Sequence, residues 1–326
     1  MNNVKKRLPV LPFLIIVICG GFLISWLIHR PDAGFFAIGS TGGKEHSTAV
    51  NTEGIDSVDI DWISGKVDIR TTDKKEITIT EYSRKNLDAK DMFHAEVRSG
   101  VLKIDWRKSL VKNFFGINWL KKNLVVELPK ELAENLEVFE CSSVSGGIDA
   151  RGLGSGKMDF NSTSGGIDID GINTEKLDIT TVSGHIKISD TVTEKIGFFT
   201  TSGGVGMEDI EAEDIDFTTV SGSINIDGSI SGKIDGSTTS ASVNIDTEVC
   251  PERVDLGTVS GHMRLAIPEE RGFTAKFSAV SGSFSSDFAT TSSKSGDNRT
   301  EVYLDGASSF DFSSVSGAAE LLKRGK

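Results

Sequence analysis

Cysteine is scarce, three in 326 residues. That is too few for a disulfide scaffold, and no pair has the Cys-x-x-Cys spacing of a metal or redox site. Six prolines exclude a collagen or polyproline rod, since both need many more. Basic residues are in deficit, 35 Lys and Arg against 47 Asp and Glu. The resulting net charge of −12 offers no positive surface to a phosphate backbone, and no nucleic-acid partner is expected. The five histidines, His29, His46, His94, His185 and His262, stand apart in sequence, so neither a catalytic triad nor a metal cluster is suggested. Glycine runs the other way: 35 residues, about 11% against a usual ~7%. With 37% of the chain hydrophobic, that glycine does not belong to a disordered linker.

Long apolar runs are absent except one. Leu8 to Ile28 carries no charge for twenty-one residues, and at 1.5 Å per residue this is about 30 Å, the thickness of a bilayer's hydrocarbon core. A transmembrane helix is expected over 8–28, with residues 1–7, including Lys5, Lys6 and Arg7, on the cytoplasmic side. A cleaved signal peptide would end in small residues of the Ala-x-Ala type, which SWLIHRP lacks. Ile18 before Cys19 likewise departs from a lipoprotein signal. Residues 29–54, with scattered Gly, Ser and Thr, read as a flexible stalk. The expected location is a single-pass place in the cell membrane, with the C-terminal domain extracytoplasmic.

The remainder of the chain is self-similar. Ser-Gly preceded by Val or Thr recurs at Ser145, Ser164, Ser183, Ser202 and Ser221, each 19 residues after the last, and Ser240-Ala241 continues the series. Ser260, Ser281 and Ser316 come next at spacings of 20, 21 and 35, and Ser64-Gly65 is an outlying early copy. Six and four residues before the serine stand apolar side chains such as Phe139, Met158 and Leu177, and Cys141, Phe160 and Ile179. Three and five residues after it stand Ile148, Ile167 and Ile186, and Ala150, Ile169 and Ile188. Apolar residues two apart on both sides of a turn have the period of strands. One such unit cannot bury its own apolar face, whereas stacked units form continuous ladders. The predicted fold is all-β: a narrow parallel β-solenoid of 19-residue coils, built of short strands, with sequence neighbours adjacent.

The glycines after the serines, Gly146, Gly165, Gly184, Gly203, Gly222, Gly261, Gly282 and Gly317, are expected to supply positive φ at the turn, with Ala241 the exception. Residues 55–130 read as irregular strand-rich coils that cap the stack, 131–322 as the regular repeats with a C-terminal cap, and 323–326 as a tail. LPKEL and IPEER resemble each other where coil length changes, which suggests an internal duplication.

Outward positions stack as well. Five before each serine stand Glu140, Asp159, Asp178, Asp216, Asp235 and Asp255, interrupted by Gly197; seven before stand Lys157, Lys176, Lys195, Lys233 and Arg253. The two columns neutralise one another on one face. The coil carrying Glu208, Asp209, Glu211, Glu213, Asp214 and Asp216 has no base among its acids, so Glu208, Asp209, Asp214 and Asp216 are the place to look for Ca²⁺; no other cofactor is expected. Arg107 to Lys122, RKSLVKNFFGINWLKK, combines five positive charges with aromatics. Phe114, Phe115, Trp119, Lys121 and Lys122 are therefore candidates for contact with the membrane or with an anionic wall polymer, against the alternative that the aromatics plug the solenoid end while the lysines reach water.

Thr180, Thr181, Thr200, Thr201, Thr218, Thr219, Thr238 and Thr239 flank the turns, but Phe199, Asn161 and Gly257 interrupt the array an ice-binding face would need. Hydroxyls that satisfy turn backbone are the expected role. A polysaccharide-active enzyme would need a unique break in the repeat with paired carboxylates, and the acids here recur coil after coil; the chain is expected not to be an enzyme. Cys141 lies on an inward ladder and Cys250 in a turn about five coils away, roughly 25 Å at ~4.8 Å per coil, so both are expected to be free thiols.

One apolar span followed by VSGGIDA, TSGGIDID, VSGHIKIS, TSGGVGM and VSGSINID resembles the LiaG-like adhesin family of bacterial envelope proteins, over about residues 55–322. The resemblance implies a membrane-anchored surface protein, in some members linked to envelope stress, and brings no catalytic residues. The expected function is a non-catalytic rigid surface for binding or scaffolding, its partner a wall polymer or another envelope protein. The alternative is regulation of a membrane partner through the span itself.

Overall fold

A computed structural model of the chain describes residues 44–106, 121–295 and 298–325. The expected span at 8–28 and the aromatics Phe114, Phe115 and Trp119 lie outside the described residues. Among the described residues, no helix is long and apolar enough to cross a membrane.

Alternation of apolar and polar residues produces the expected parallel coils. In one ladder Phe139, Met158, Leu177, Ile196, Ile215 and Ile234 pair successively across neighbouring strands, and in the other Ile148, Ile167, Ile186, Val205 and Ile224 do the same. Each is at most 2% exposed, so the two inward columns read from the repeat are the core. The Gly236 gap in one column is filled from the coil beside it. A Cβ on Gly236 would lie 2.2 Å from Cζ of Phe217, whose ring stacks on Phe198 with centroids 5.1 Å apart. Ser64-Gly65 is a true early copy: Ser57–Trp62 and Val67–Thr72 form a regular coil that stacks on the coil of Gly146.

Three expectations need correction. Strands are not all short, since Ile186–Thr200 and Val205–Thr219 run 15 residues each and pass through a corner from one ladder to the other. Nor are sequence neighbours always adjacent. At the N-terminal pole the 57–72 coil lies inside, between the coil of Leu136–Ser143 and the outermost coil of Val101–Asp105 and Lys122–Pro129. At the other pole the chain's last coil, Ser308–Ser314 and Ala318–Lys323, inserts between the coil of His262–Ile267 and the outermost coil of Phe273–Ala279 and Ser283–Ser286. Thus each end of the solenoid segment is held between two coils, where backbone groups of both edges are paired. The third correction concerns the stalk: Glu45–Val50, inside the range read as flexible, is a strand antiparallel to Ile77–Ser83.

Antiparallel strands close the poles. Ile77–Ser83 covers the edge of Lys122–Pro129, and His94–Arg98 covers Val101–Asp105. At the far pole Asn298–Tyr303 covers Phe273–Ala279, and Thr291–Ser295 covers it in turn. Reversal of direction at the poles lets short hairpins cap parallel ladders that would otherwise end in open edges. Phe273, Phe288, Tyr303 and Phe310 form a ring cluster that seals the C-terminal cap, with centroids 4.9 to 5.4 Å apart.

Candidate functional site

The repeated Ser-Gly corner is built from three interlocking devices. Two residues before each serine, a buried hydroxyl accepts the N–H of the turn glycine: Ser143 from Gly146 at 3.1 Å, Ser162 from Gly165 at 2.9 Å, Thr181 from Gly184 and Thr200 from Gly203 at 3.0 Å, and Thr258 from Gly261 at 2.7 Å. The serine hydroxyl donates to a carbonyl of the adjacent coil, as Ser145 to Ile63, Ser164 to Val144, Ser202 to Val182 and Ser240 to Val220, at 3.1 to 3.4 Å. These serines are coil-to-coil fasteners; of the threonines named from the sequence, Thr181, Thr200 and Thr219 bond turn backbone as expected, whereas Thr238 donates to the Thr258 hydroxyl.

The third device changes the explanation of the glycines. Of the eight turn glycines, only Gly222, at φ 120°, has positive φ. What the others require is space, because each faces the carbonyl of the turn beneath it. A Cβ would lie 1.7 Å from Gly65 O at Gly146, 1.9 Å from Gly146 O at Gly165, 1.8 Å from Gly165 O at Gly184, and 2.1 Å from Gly261 O at Gly317. Ala241 is accommodated, buried at 1% exposure and without positive φ, next to Gly222, where the approach to Gly203 O is 2.5 Å rather than 1.8 Å. Beyond Gly222 and the early copy's Gly65 (104°), positive φ recurs regularly at the opposite corner, in the column Gly152 (68°), Gly171 (64°), Asp190 (48°), Asp209 (55°) and Gly228 (156°), again 19 apart. Gly and Asp are residues that tolerate the left-handed region, so this column was detectable in the sequence.

That opposite corner borders a shallow groove of about 850 Å³, which includes Glu134, Glu175, Glu194, Glu211, Glu213 and the exposed Val192. On the flanking face the acid and base columns neutralise one another as expected: Lys176 Nζ lies 2.6 Å from Asp178, Lys233 Nζ 2.6 Å from Asp235, and Lys157 3.7 Å from Asp159. Lys195 and Lys233 both pair with Asp216. These bonds to Asp216 and Asp235 raise the ammonium pKa values of Lys195 and Lys233. Burial pushes the carboxyls of Asp159 and Asp255 up, against the pull of their basic neighbours. Of the acids named for calcium, Asp216 thus sits between two lysines, and Asp214 accepts the Lys233 N–H at 2.8 Å. Glu208 and Asp209 are exposed. Among the described residues, no three His, Cys, Asp or Glu side chains converge as a metal site.

Of the residues named for envelope contact, Lys121 is exposed and Lys122 is not. Lys122 is 1% exposed; its Nζ lies 2.8 Å from a carboxylate oxygen of Glu81, itself fully buried, and donates to the carbonyls of Asp91 at 2.8 Å and Trp106 at 3.1 Å. The ammonium also sits over the rings of Trp106 and Trp62, 4.5 and 5.2 Å from the centroids. Trp62 Nε1 donates to the Lys122 carbonyl at 2.7 Å, and the Phe93 N–H donates to Glu81 at 2.9 Å. Lys122 is therefore an internal fastener of the N-terminal cap and not a surface contact. Alternation could have revealed this, because Lys122 shares the phase of Leu124, Val126 and Leu128, and Glu81 that of Ile77 and Ile79.

Cys141 and Cys250 are both buried free thiols. Burial holds the Cys141 thiol well above its ordinary range, and that of Cys250 above it.

A family profile described as Toastrack DUF4097 matches residues 55–320. Among solved structures, a candidate adhesin from Parabacteroides distasonis aligns with a TM-score of 0.52 at 13% identity, covering 86% of this chain and 97% of its own. A candidate adhesin from Bacteroides fragilis aligns with a TM-score of 0.48 at 12% identity, with the same coverages of 86% and 97%. No curated relative matches the sequence.

Proposed function

Because the chain belongs to the Toastrack DUF4097 family, we propose that it is a non-catalytic, membrane-anchored envelope protein whose extracytoplasmic β-solenoid acts as an adhesin-like surface for binding or scaffolding. The observation that carries this reading is the use to which the repeated chemical groups are put. Turn serines donate to the next coil, buried threonines hold turn N–H groups, and the lysine column is paired with the aspartate column. A catalyst needs a group freed from such duties at one unique place. A binding rod needs a stiff surface repeated at a fixed spacing, which stacked coils provide. The fold shared with the Parabacteroides distasonis structure supports the adhesin-like use, and the apolar stretch 8–28 supports the anchor. The repeated Val/Thr-Ser-Gly motifs resemble those of LiaG-like proteins, and this resemblance favours a place among envelope proteins that respond to stress, with a wall polymer or another envelope protein as partner.

Replacing Leu8 to Ile28 by an unrelated span tests the division of labour. Retention of envelope binding, with the solenoid cut by protease added outside intact cells, is the expected result. Loss of function with normal surface display would assign the activity to the span, and release of sugar from wall glycans would overturn the non-catalytic reading.

A further inference from the structure

Most described cations along the solenoid are matched by an acid, and four of those that are not gather at one place. Tyr82, Ser83, Arg84, Lys121 and Asn123 line a hollow of about 260 Å³ at the N-terminal pole. It forms where Ile77–Ser83 and Lys122–Pro129 run antiparallel with Tyr82 opposite Asn123. The backbone brings two more cations to its rim: Ser83 N–H donates to the Lys44 carbonyl at 2.8 Å, and Lys85 N–H donates to Ser83 Oγ at 3.3 Å. Among the described residues, none of Lys44, Arg84, Lys85 and Lys121 forms an ion pair, although the chain carries a net −12. Glu45 stands opposite Tyr82 in the register and makes no ion pair there either. Glu81, next in sequence, is turned inward onto Lys122.

The donors suit one ligand chemistry. Asn123 Oδ1 is occupied by the Lys66 N–H at 3.0 Å, which leaves its amide NH₂ as a donor to the hollow. Tyr82 is 42% exposed and presents a hydroxyl. A guanidinium fork with an adjacent ammonium and neutral donors is the arrangement that recognises a phosphate, the fork giving paired hydrogen bonds and the lysine a point charge. We propose that this hollow binds a phosphodiester anion of the glycerophosphate class. The anion's source, a phospholipid headgroup, rests on the membrane-anchored reading above: the apolar run ends at Ile28, sixteen residues before Lys44, so the rim lies within about 60 Å of chain contour from a bilayer surface. Binding itself does not rest on that reading.

The test uses the full chain in neutral detergent, titrated calorimetrically with soluble glycerophosphoglycerol, and in a second arm held in nanodiscs of phosphatidylglycerol or phosphatidylcholine. Expected are saturable binding that weakens as salt is raised, and a loss of about tenfold or more in R84Q and in K121Q. R84K should recover only part of the affinity, and K187Q, an unpaired cation elsewhere on the rod, should change nothing. These residues are exposed, and unchanged circular dichroism would confirm that the variants fold. In the second arm, closer protection of Lys121 and Lys85 from acylation in phosphatidylglycerol than in phosphatidylcholine identifies the lipid headgroup as source. Soluble binding without that difference keeps the site and places its phosphate elsewhere, which tests the membrane source separately. Absence of soluble binding, or binding that R84Q and K121Q leave intact, overturns the proposal.

Discussion

Replacing a single turn glycine separates two accounts of why the repeat needs it. At Gly165 a methyl would lie 1.9 Å from Gly146 O, 2.4 Å from its carbonyl carbon and 2.9 Å from Gly147 N, all backbone atoms that cannot swing away. Reaching an ordinary contact of 3.4 Å requires the coils to part by about 1.5 Å at that corner (3.4 − 1.9). The bonds from Thr163 N–H to Ser143 O at 3.1 Å, and from Ser164 N–H and Oγ to Val144 O at 3.2 Å, do not survive such a displacement. At about 1 kcal/mol each, their loss puts Gly165→Ala at about 2–3 kcal/mol. Gly206, with nothing within 4 Å of a built Cβ and no positive φ, is the matched control, and Gly206→Ala should stay within about 0.5 kcal/mol. Urea denaturation followed by circular dichroism supplies the ranking, and hydrogen exchange should localise the Gly165→Ala damage to the coils on either side, since contacts reach only nearest neighbours. Asparagine sharpens the comparison because it tolerates positive φ yet carries a Cβ. Gly165→Asn should be at least as harmful as Gly165→Ala, whereas at Gly171, where φ is 64° and a Cβ is unobstructed to 3.8 Å, Asn should be milder than Ala. Rescue by asparagine at Gly165, or an alanine there as benign as at Gly206, would refute the close-approach account.

The same geometry sets four further outcomes. Thr181→Val leaves the Gly184 N–H without its buried acceptor and should cost about 1–3 kcal/mol in urea titration, while Thr181→Ser keeps the bond and most of the stability. Lys122→Met strands the buried Glu81 carboxylate and should cost about 3–5 kcal/mol, with Glu81→Leu added to it recovering much of the loss, as the double-mutant cycle would show. The Cys141 thiol, fully buried and held above its ordinary pKa, should resist iodoacetamide at pH 8 in the folded protein and react in urea, which mass spectrometry would record. Burial raises the Asp159 pKa, so the native state takes up the proton more readily than the unfolded one, and the stability that proton brings is lost as pH rises above the ordinary 3.8 through the raised value. Asp159→Asn should therefore gain stability over the parent at pH 7, and melting scans should show the gain shrinking as pH falls toward 3.8.

The features legible in the sequence are those that a single coil repeats about itself. Met158 and Phe160, or Ile167 and Ile169, disclose the inward phase because a strand's side chains alternate whatever lies above or below it. Stacking order is a different kind of information. Nothing local to Ser57–Trp62 says that it pairs with both Val101–Asp105 and Leu136–Ser143, and nothing local to Ser308–Ser314 says that it enters between Arg253–Thr258 and Phe273–Ala279. The role of glycine fell between these cases. Its spacing was visible, but the 1.8 Å that separates a hypothetical Cβ on Gly184 from Gly165 O is a distance between coils, and a one-dimensional pattern permits φ as an equally good cause. Lys122 went unrecognised for the opposite reason: its inward phase was visible, yet its place in a basic, aromatic segment suggested the surface, and only Glu81, 41 residues earlier on a strand of matching phase, makes burial tolerable. The same distinction bears on function. Chemistry repeated with the coils is already engaged within the repeat: Ser164 fastens its coil to the adjacent one, and Asp178 is paired with Lys176 on its own strand. Groups able to recognise something else must then be sought where the repeat gives way to the cap, and it is there that Arg84 and Lys121 stand without a partner acid beside an exposed tyrosine.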